Sequence, residues 1–394
     1  CIPSNKIVDD FIVSGLFYVV GQGFIRLMRM LVVPLVFCSI VCGSMAVGDT
    51  KKLGSVGLKT MLFYLCTTAL AVVVALCIAN VINPGIGLDM SAIKITSKVT
   101  ESTQATSVTE TLLNIIPTNI FESLANGTML QIILFALILG VILANMSDRV
   151  DIVKNFFSQF NDIMMEMTMA VMKLAPIGVF CLISKTFAEI GFDVFIPLLK
   201  YMFCVLLALG VQCFGVYMSM LKIFSGLNPI IFIKNFFPVM AFAFSTSTSN
   251  ATIPMNIDTL AEKMGVSKKI SSFTIPLGAT INMDGTSIMQ GVAVVFTAQA
   301  FGIHLSIMDY ATVIGTATLA SIGTAGVPSV GLITLTMVFN SVGLPVEGIA
   351  LIMGIDRILD MTRTAVNITG DAVCTTVVAS MNKAVDRDIY YGRK

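Results

Sequence analysis

The stretch IDRILDMTRTAVNITGD, residues 355 to 371, places Asp356, Asp360, Arg363, Asn367 and Asp371 at successive spacings of 4, 3, 4 and 4. At about 100° per residue of α-helix the five side chains fall within roughly 80° of one another, so one helix face becomes a ladder of acids, a guanidinium and an amide. The flanking sequence is apolar enough for a membrane. An ionised side chain turned to lipid at mid-bilayer costs about 2.5 to 3.5 kcal/mol on insertion scales, so the ladder is expected to face protein, ions or a substrate.

Outward from this ladder the class is set by composition: of 394 residues 56% are hydrophobic and 12% charged. Apolar segments at 11 to 46, 57 to 83, 128 to 147, 155 to 190 and 193 to 221 are long enough to cross a bilayer, which predicts an all-α polytopic membrane protein. The formal net charge is +1 and no basic stripe is present, which excludes a nucleic-acid partner. Small solutes, membrane lipid and copies of the chain itself are the expected partners. The nine cysteines lie mostly in apolar runs, without CxxC or a neighbouring histidine, and read as buried free thiols. His304, the only histidine, sits in a short link, FGIHLS, and reads as structural. No GxGD, HExxH, Ser-His or Cys-His arrangement is present, so an intramembrane enzyme is not expected.

Lys and Arg gather in alternate connections, among them Lys51 and Lys52, Arg149 and Lys154, Lys222 and Lys234, Lys263 to Lys269, and Lys383 to Lys394. By the positive-inside rule these face the cytoplasm, so a multi-pass protein of the plasma (inner) membrane with a cytoplasmic C-terminus is expected. The chain then starts outside, which fits a missing first helix. Segment 86 to 126, centred on TSKVTESTQATSVTE, reads as an external loop.

Beyond residue 222 Ser, Thr, Gly, Asn and Pro interrupt the apolar runs. AFSTSTSNATIP at 243 to 254 and ASIGTAGVP at 320 to 328 are small, hydroxyl-rich and flanked by apolar arms too short to span comfortably. Irregular backbone at membrane depth survives only where protein or a water-filled cavity satisfies it, so both read as tips of re-entrant hairpins. Each is followed by a long helix with polar residues at mid-depth. Paired interruptions of this kind point to a secondary-transporter binding site. In NMDGT, residues 282 to 286, Gly285 is expected to weaken the helix and free carbonyls near Asn282 and Met283 beside the charge of Asp284. That mixture of oxygens suits a hard cation such as Na⁺.

Taken in order, STSTSNATIP, GATINMDGT, ASIGTAGVP and DMTRTAVNITGD resemble the dicarboxylate/amino acid:cation symporter family, over essentially the whole chain from the second family helix onward. The resemblance implies a homotrimer working as an elevator, with a glutamate-transporter-like fold of scaffold helices, a transport domain and inverted repeats. It divides the chain into scaffold helices at 1 to 154, with a cation-site contribution from 63 to 69, and further scaffold or transport-domain helices at 155 to 222. The first hairpin follows at 223 to 263, the broken helix with NMDGT at 268 to 300, and the second hairpin, the gate, at 305 to 342. The last substrate-binding helix covers 344 to 382 and a cytoplasmic tail 383 to 394.

The same resemblance implies residue roles. Arg363, helped by Thr286, would bind a substrate side-chain carboxylate and Asp360 an α-ammonium. Asn367, Thr364, Thr248, Ser249, Gly326 and Val327 would complete the substrate site. One Na⁺ site would use Asp371, Asn367, Gly278 and Asn282, and a second Thr280, Met283, Ser321, Ile322 and Thr324. A third would bring Tyr64, Thr67 and Thr68 to Asn282 and Asp284. Na⁺-coupled symport of L-aspartate or L-glutamate is the activity implied, with a four-carbon dicarboxylate as the alternative substrate. The side-chain chemistry agrees: a guanidinium holds a carboxylate bidentately, and Asp360 one turn away pairs an amine that such dicarboxylates lack. In the empty state an Asp360–Arg363 pair at i, i+3 is the simpler arrangement.

Departures from the family pattern are Ser247, where archaeal members often have arginine, and Met361, where animal members have it. Arg357 stands one turn earlier, either reaching the same polar cavity or pairing Asp356. Gln290 replaces the proton-carrying glutamate of animal carriers, so proton-coupled cycling of that kind is not expected, and K⁺ countertransport is left open.

Overall fold

A computed structural model describes residues 8–48, 55–88, 113, 116–174, 176–178, 180–182, 184, 195–322 and 330–393. Among these the backbone is helical throughout, apart from turns and one isolated bridge between Val266 and Val385. The first apolar runs form α1 (Tyr18–Gly48), which continues a π-helical entry from Val8, and α2 (Ser55–Ile82). After the 89 to 112 segment, which lies outside the described residues, come the short α3 (Ile120–Asn126), α4 (Met129–Asn145) and α5 (Asp151–Met172). α1 packs chiefly on α4 and α5, a sub-bundle of its own.

The next span is α6 (Phe195–Gly210), a π-helical stretch (Val211–Tyr217) and α7 (Met218–Ser225), closed by Gly226 in the left-handed conformation. Asn228 then caps α8 (Pro229–Thr246), with Pro229 at the first helical position, where a missing N–H costs nothing. At Ser247 the chain turns through positive φ into α9 (Ser249–Met264), which packs back on α8. The expectation of short arms needs adjustment here. α8 has 18 residues and is long and apolar enough to cross a membrane.

α10 (Lys268–Ile281) and α11 (Asp284–Ala300) are two halves of one interrupted rod. A capping box between Ser306 and Asp309 starts α12 (Ile307–Ser321), and α13 (Val330–Ser341) packs back on it. The tip between them, residues 323 to 329, lies outside the described residues. A single turn, α14 (Gly348–Met353), leads to α15 (Asp356–Met381), 26 residues or about 39 Å long. α15 is the hub of this half: α2, α6 to α11 and α14 all pack on it. The tail is docked rather than loose, because α16 (Arg387–Tyr390) sends Arg387 Nη2 to the Ser225 carbonyl (3.1 Å) and Tyr390 Oη to that of Asn228 (2.8 Å).

Cys38, Cys181, Cys204, Cys213 and Cys374 are buried and free, but Cys66 and Cys77 are exposed on the outward side of α2, a helix with apolar residues on every face. His304 lies exposed in the link between α11 and α12.

Candidate functional site

All five members of the ladder are buried, none more than 7% exposed. Arg363 is the largest of the fully buried side chains among the described residues. Its Nη1 donates to Asp356 Oδ1 (2.6 Å), and its Nη2 donates to Asp360 Oδ1 (2.9 Å) and, more distantly, to Asp356 Oδ2 (3.4 Å). The i, i+3 pair expected for an empty site is therefore present, with Asp356 added two turns back. Arg357 takes neither of its expected roles. One residue beyond Asp356 it is turned about 100° off the ladder face, and it lies exposed.

The remaining substrate-site candidates surround this fork unevenly. A Cβ built on Gly331, the second residue of α13, would stand 3.0 Å from Thr286 Cγ2 and 3.5 Å from Arg363 Nη2, so α13 begins directly over both. Thr364 donates its hydroxyl back to the Asp360 carbonyl (2.9 Å). Thr248 precedes α9 and Ser249 opens it, at the turn of a hairpin whose two helices pack on α15. Gly326, Val327 and Thr324 lie outside the described residues.

The rod formed by α10 and α11 breaks at Asn282 and Met283, whose backbones leave the helical region (φ −91°, ψ 93° and φ −118°, ψ 44°). Gly285 is not the breaker that the sequence suggested. It is already helical, and what it supplies is room: a Cβ there would lie 2.8 Å from the Arg363 carbonyl oxygen and 3.0 Å from Asn367 Oδ1. Its N–H donates to Asn367 Oδ1 (2.7 Å), locking the start of α11 onto α15.

Around the break the amides cross-link two helices. Asn282 Nδ2 donates to Asp371 Oδ1 (2.8 Å) and to the Asn367 carbonyl (3.0 Å), while Asn367 Nδ2 points to Met283 Sδ (3.3 Å). Asn282 Oδ1 is buried without a hydrogen-bond donor. Gly278 faces Asp371 so closely that a Cβ would lie 2.4 Å from Oδ1, and 2.6 Å from Tyr64 Oη. Tyr64 itself donates to the Thr274 carbonyl (3.1 Å). Asp371, Asn367, Gly278, Asn282 and Tyr64 are thus gathered in one place.

Asp284, the first residue of α11, is fully buried and held entirely by neutral donors: Thr68 Oγ1 at 2.5 Å on one oxygen, Tyr217 Oη at 2.7 Å and Gln212 Nε2 at 3.0 Å on the other. The hydroxyls of Thr67 and Thr68 both also reach the Tyr64 carbonyl (3.1 and 2.8 Å), and the Thr67 carbonyl accepts from Gln212 (3.3 Å). Gln212 and Tyr217 were not anticipated from sequence. Five residues apart in an α-helix they would diverge by about 140°, but the π-helical stretch between α6 and α7, with its i, i+5 hydrogen bonds, is wound more loosely and brings them closer to one face.

The last candidate group is brought together only in part. Thr280 and Ser321 each donate to a carbonyl three residues back, those of Leu277 and Thr318 (2.9 and 2.7 Å). Ile322 packs in one apolar cluster with Tyr64, Leu277, Ile281, Cys374 and Val378, which sets the end of α12 against the end of α10. On the opposite side of α11, Gln290 Nε2 donates to Thr334 Oγ1 of α13 (2.7 Å).

Among the described residues around α15, then, four buried aspartates stand against a single buried guanidinium. Isolated buried charge is costly, and a cation or a substrate ammonium would offset it. Comparison with known proteins places this arrangement. The model of the sodium:dicarboxylate symporter family matches residues 12–381. The chain is similar to the proton/sodium-glutamate symport protein of Bacillus caldotenax, 39% identical over 365 residues covering 91% of this chain and 86% of that one. It is similar also to the proton/glutamate-aspartate symporter of Escherichia coli (37% over 387 residues, 96% and 88% covered). A C4-dicarboxylate transport protein of Cupriavidus pinatubonensis is 34% identical over 372 residues, covering 93% and 86%. The chain is a multi-pass membrane transporter, not an enzyme, and belongs to the sodium:dicarboxylate symporter family.

Proposed function

We propose that the chain carries out Na⁺-coupled symport of an acidic amino acid, L-aspartate or L-glutamate, with Na⁺ ions as co-transported cargo. The observation that carries this reading is the buried fork of Arg363 with Asp360 at its side. A guanidinium takes a substrate carboxylate bidentately, and Asp360, released from it, takes the α-ammonium. A four-carbon dicarboxylate would use Arg363 but leave Asp360 without a cationic partner.

Coupling follows from Asn367. Its side chain holds Gly285, next to Thr286 at the substrate end, while its backbone carbonyl and the Asp371 carboxylate share the Asn282 amide at the cation end. Na⁺ bound by Asp371 and the orphaned Asn282 oxygen would draw on the same amides that fix the start of α11. A cation at Asp284 would replace the hydroxyl and amide donors of Thr68, Tyr217 and Gln212. Thr280, Met283, Ser321, Ile322 and Thr324 would close a further site when the second hairpin is shut. In this reading the α8–α9 and α12–α13 hairpins are re-entrant, the second is the external gate, and the protein moves its cargo as an elevator within a homotrimer, with the C-terminus cytoplasmic.

The test is uptake of labelled aspartate into proteoliposomes under a Na⁺ gradient, a proton gradient, or neither, with unlabelled succinate as competitor. Uptake driven by Na⁺ and poorly inhibited by succinate is expected. Uptake driven equally well by a proton gradient without Na⁺ would remove the coupling ion, and inhibition by succinate as strong as by aspartate would favour the dicarboxylate reading.

A further inference from the structure

At the end of the bundle where α2 begins and α7 and α15 finish lies an open groove of about 310 Å³. Leu62, Cys66, Phe224, Val378 and Met381 form its walls, and its one charged residue is Lys59. The lining contains no acid. Lys59 is half-buried and has no ion-pair partner among the described residues. Two further exposed lysines, Lys222 on α7 and Lys383 just past α15, lie near the same end of the bundle but outside the groove lining.

The helices that frame the groove decide what reaches it. α2, and the span running from α6 through α7, are long and apolar enough to cross a membrane, so the walls that carry exposed Leu62, Cys66 and Phe224 open toward hydrocarbon rather than water. An apolar slot in contact with acyl chains, whose one charged side chain is the cationic Lys59, is complementary to one kind of molecule. Basic clusters at the end of membrane helices attract anionic headgroups, each lysine contributing a modest electrostatic term.

We propose that an anionic phospholipid occupies this groove, with one acyl chain along Leu62, Cys66 and Val378 and its headgroup at Lys59. The bound tail also abuts the apolar cluster beside the candidate cation site, because Val378 shares that cluster with Tyr64 and Cys374.

The full chain, placed in nanodiscs of phosphatidylcholine with a minor fraction of phosphatidylglycerol, tests this in two ways. Native mass spectrometry is expected to show phosphatidylglycerol retained in preference to phosphatidylcholine, and Lys59→Gln to cut that preference about fivefold, the worth of one lysine near an anionic surface. In the unmodified protein, phosphatidylglycerol is expected to slow maleimide alkylation of Cys66 while leaving exposed Cys77, away from the groove, unaffected. An unchanged lipid preference in a folded Lys59→Gln variant would overturn the proposal. So would Cys66 alkylation at the same rate with and without phosphatidylglycerol.

Discussion

Arg363 reaches back two turns along its own helix to Asp356, with Nη1 and Oδ1 2.6 Å apart, while Nη2 keeps Asp360 at 2.9 Å. The guanidinium at the centre of the proposed substrate site is therefore held by two carboxylates when nothing else is bound. Asp356 had no role assignable from the sequence. In the proposed reading it holds the side of the guanidinium that a substrate carboxylate would take.

That arrangement makes a thermodynamic prediction for Asp356→Asn. Loss of a partner from a buried ion pair should lower the stability of the substrate-free protein by about 1 to 3 kcal/mol, since Asp360 still holds the guanidinium. Aspartate together with Na⁺ should recover most of the deficit, because its carboxylate supplies the guanidinium with the negative charge that asparagine lacks. Thermal unfolding in detergent across an aspartate titration measures this; a deficit of constant size from zero to saturating aspartate would separate Asp356 from the substrate's place.

Asp284 supports a parallel prediction about the cation. Its Oδ2 rests on Tyr217 and Gln212, so Tyr217→Phe removes one donor from a buried carboxylate and should cost about 1 to 2 kcal/mol without Na⁺. An ion that binds this carboxylate stabilises by mass action, so the cost should shrink as Na⁺ is raised. Unfolding at fixed temperature in Na⁺ and in choline salts reads the difference directly. Equal losses in both salts would place Tyr217 in packing alone.

Gly278 and Gly315 offer a matched pair of substitutions. A Cβ on Gly278 meets the Asp371 carboxylate and the Tyr64 hydroxyl within 2.6 Å, whereas one on Gly315, inside α12, meets nothing within 4 Å. Gly278→Ala should destabilise by about 1 to 3 kcal/mol and abolish uptake, as overpacking against a buried polar site does. Gly315→Ala should gain about 0.5 to 1 kcal/mol from helix propensity. Melting temperatures and initial uptake rates of the two variants check both signs, and a functional, stable Gly278→Ala would show that the cavity beside Asp371 is looser than drawn here.

Much of this was legible in the sequence because it depends on periodicity. The ladder from Asp356 to Asp371 lies on one α-helix, where spacings of 3 and 4 fix the face, and the polar punctuation at 243 to 254 and 282 to 286 marked a turn and a break that the fold contains. What was missed follows from geometry that a 3.6-residue period does not describe. Gln212 and Tyr217 reach the same carboxylate oxygen only because a looser π-helical winding replaces the α-helical one between them. Gly285 looked like a helix breaker because composition records its flexibility and not the 2.8 Å approach of the Arg363 backbone, which depends on how α11 packs on α15. Arg357 seemed near the cavity along the chain, but one residue of rotation carries it out to the exposed surface.

The most direct test of the central claim is initial uptake of labelled aspartate and serine into proteoliposomes, with and without a Na⁺ gradient, by the unmodified protein and by Arg363→Thr. Removing one side of a buried charge-assisted pair with a ligand is worth about 2 to 5 kcal/mol, so aspartate uptake should fall by well over tenfold while Na⁺-dependent serine uptake persists or rises. Unchanged aspartate affinity in Arg363→Thr would contradict the account.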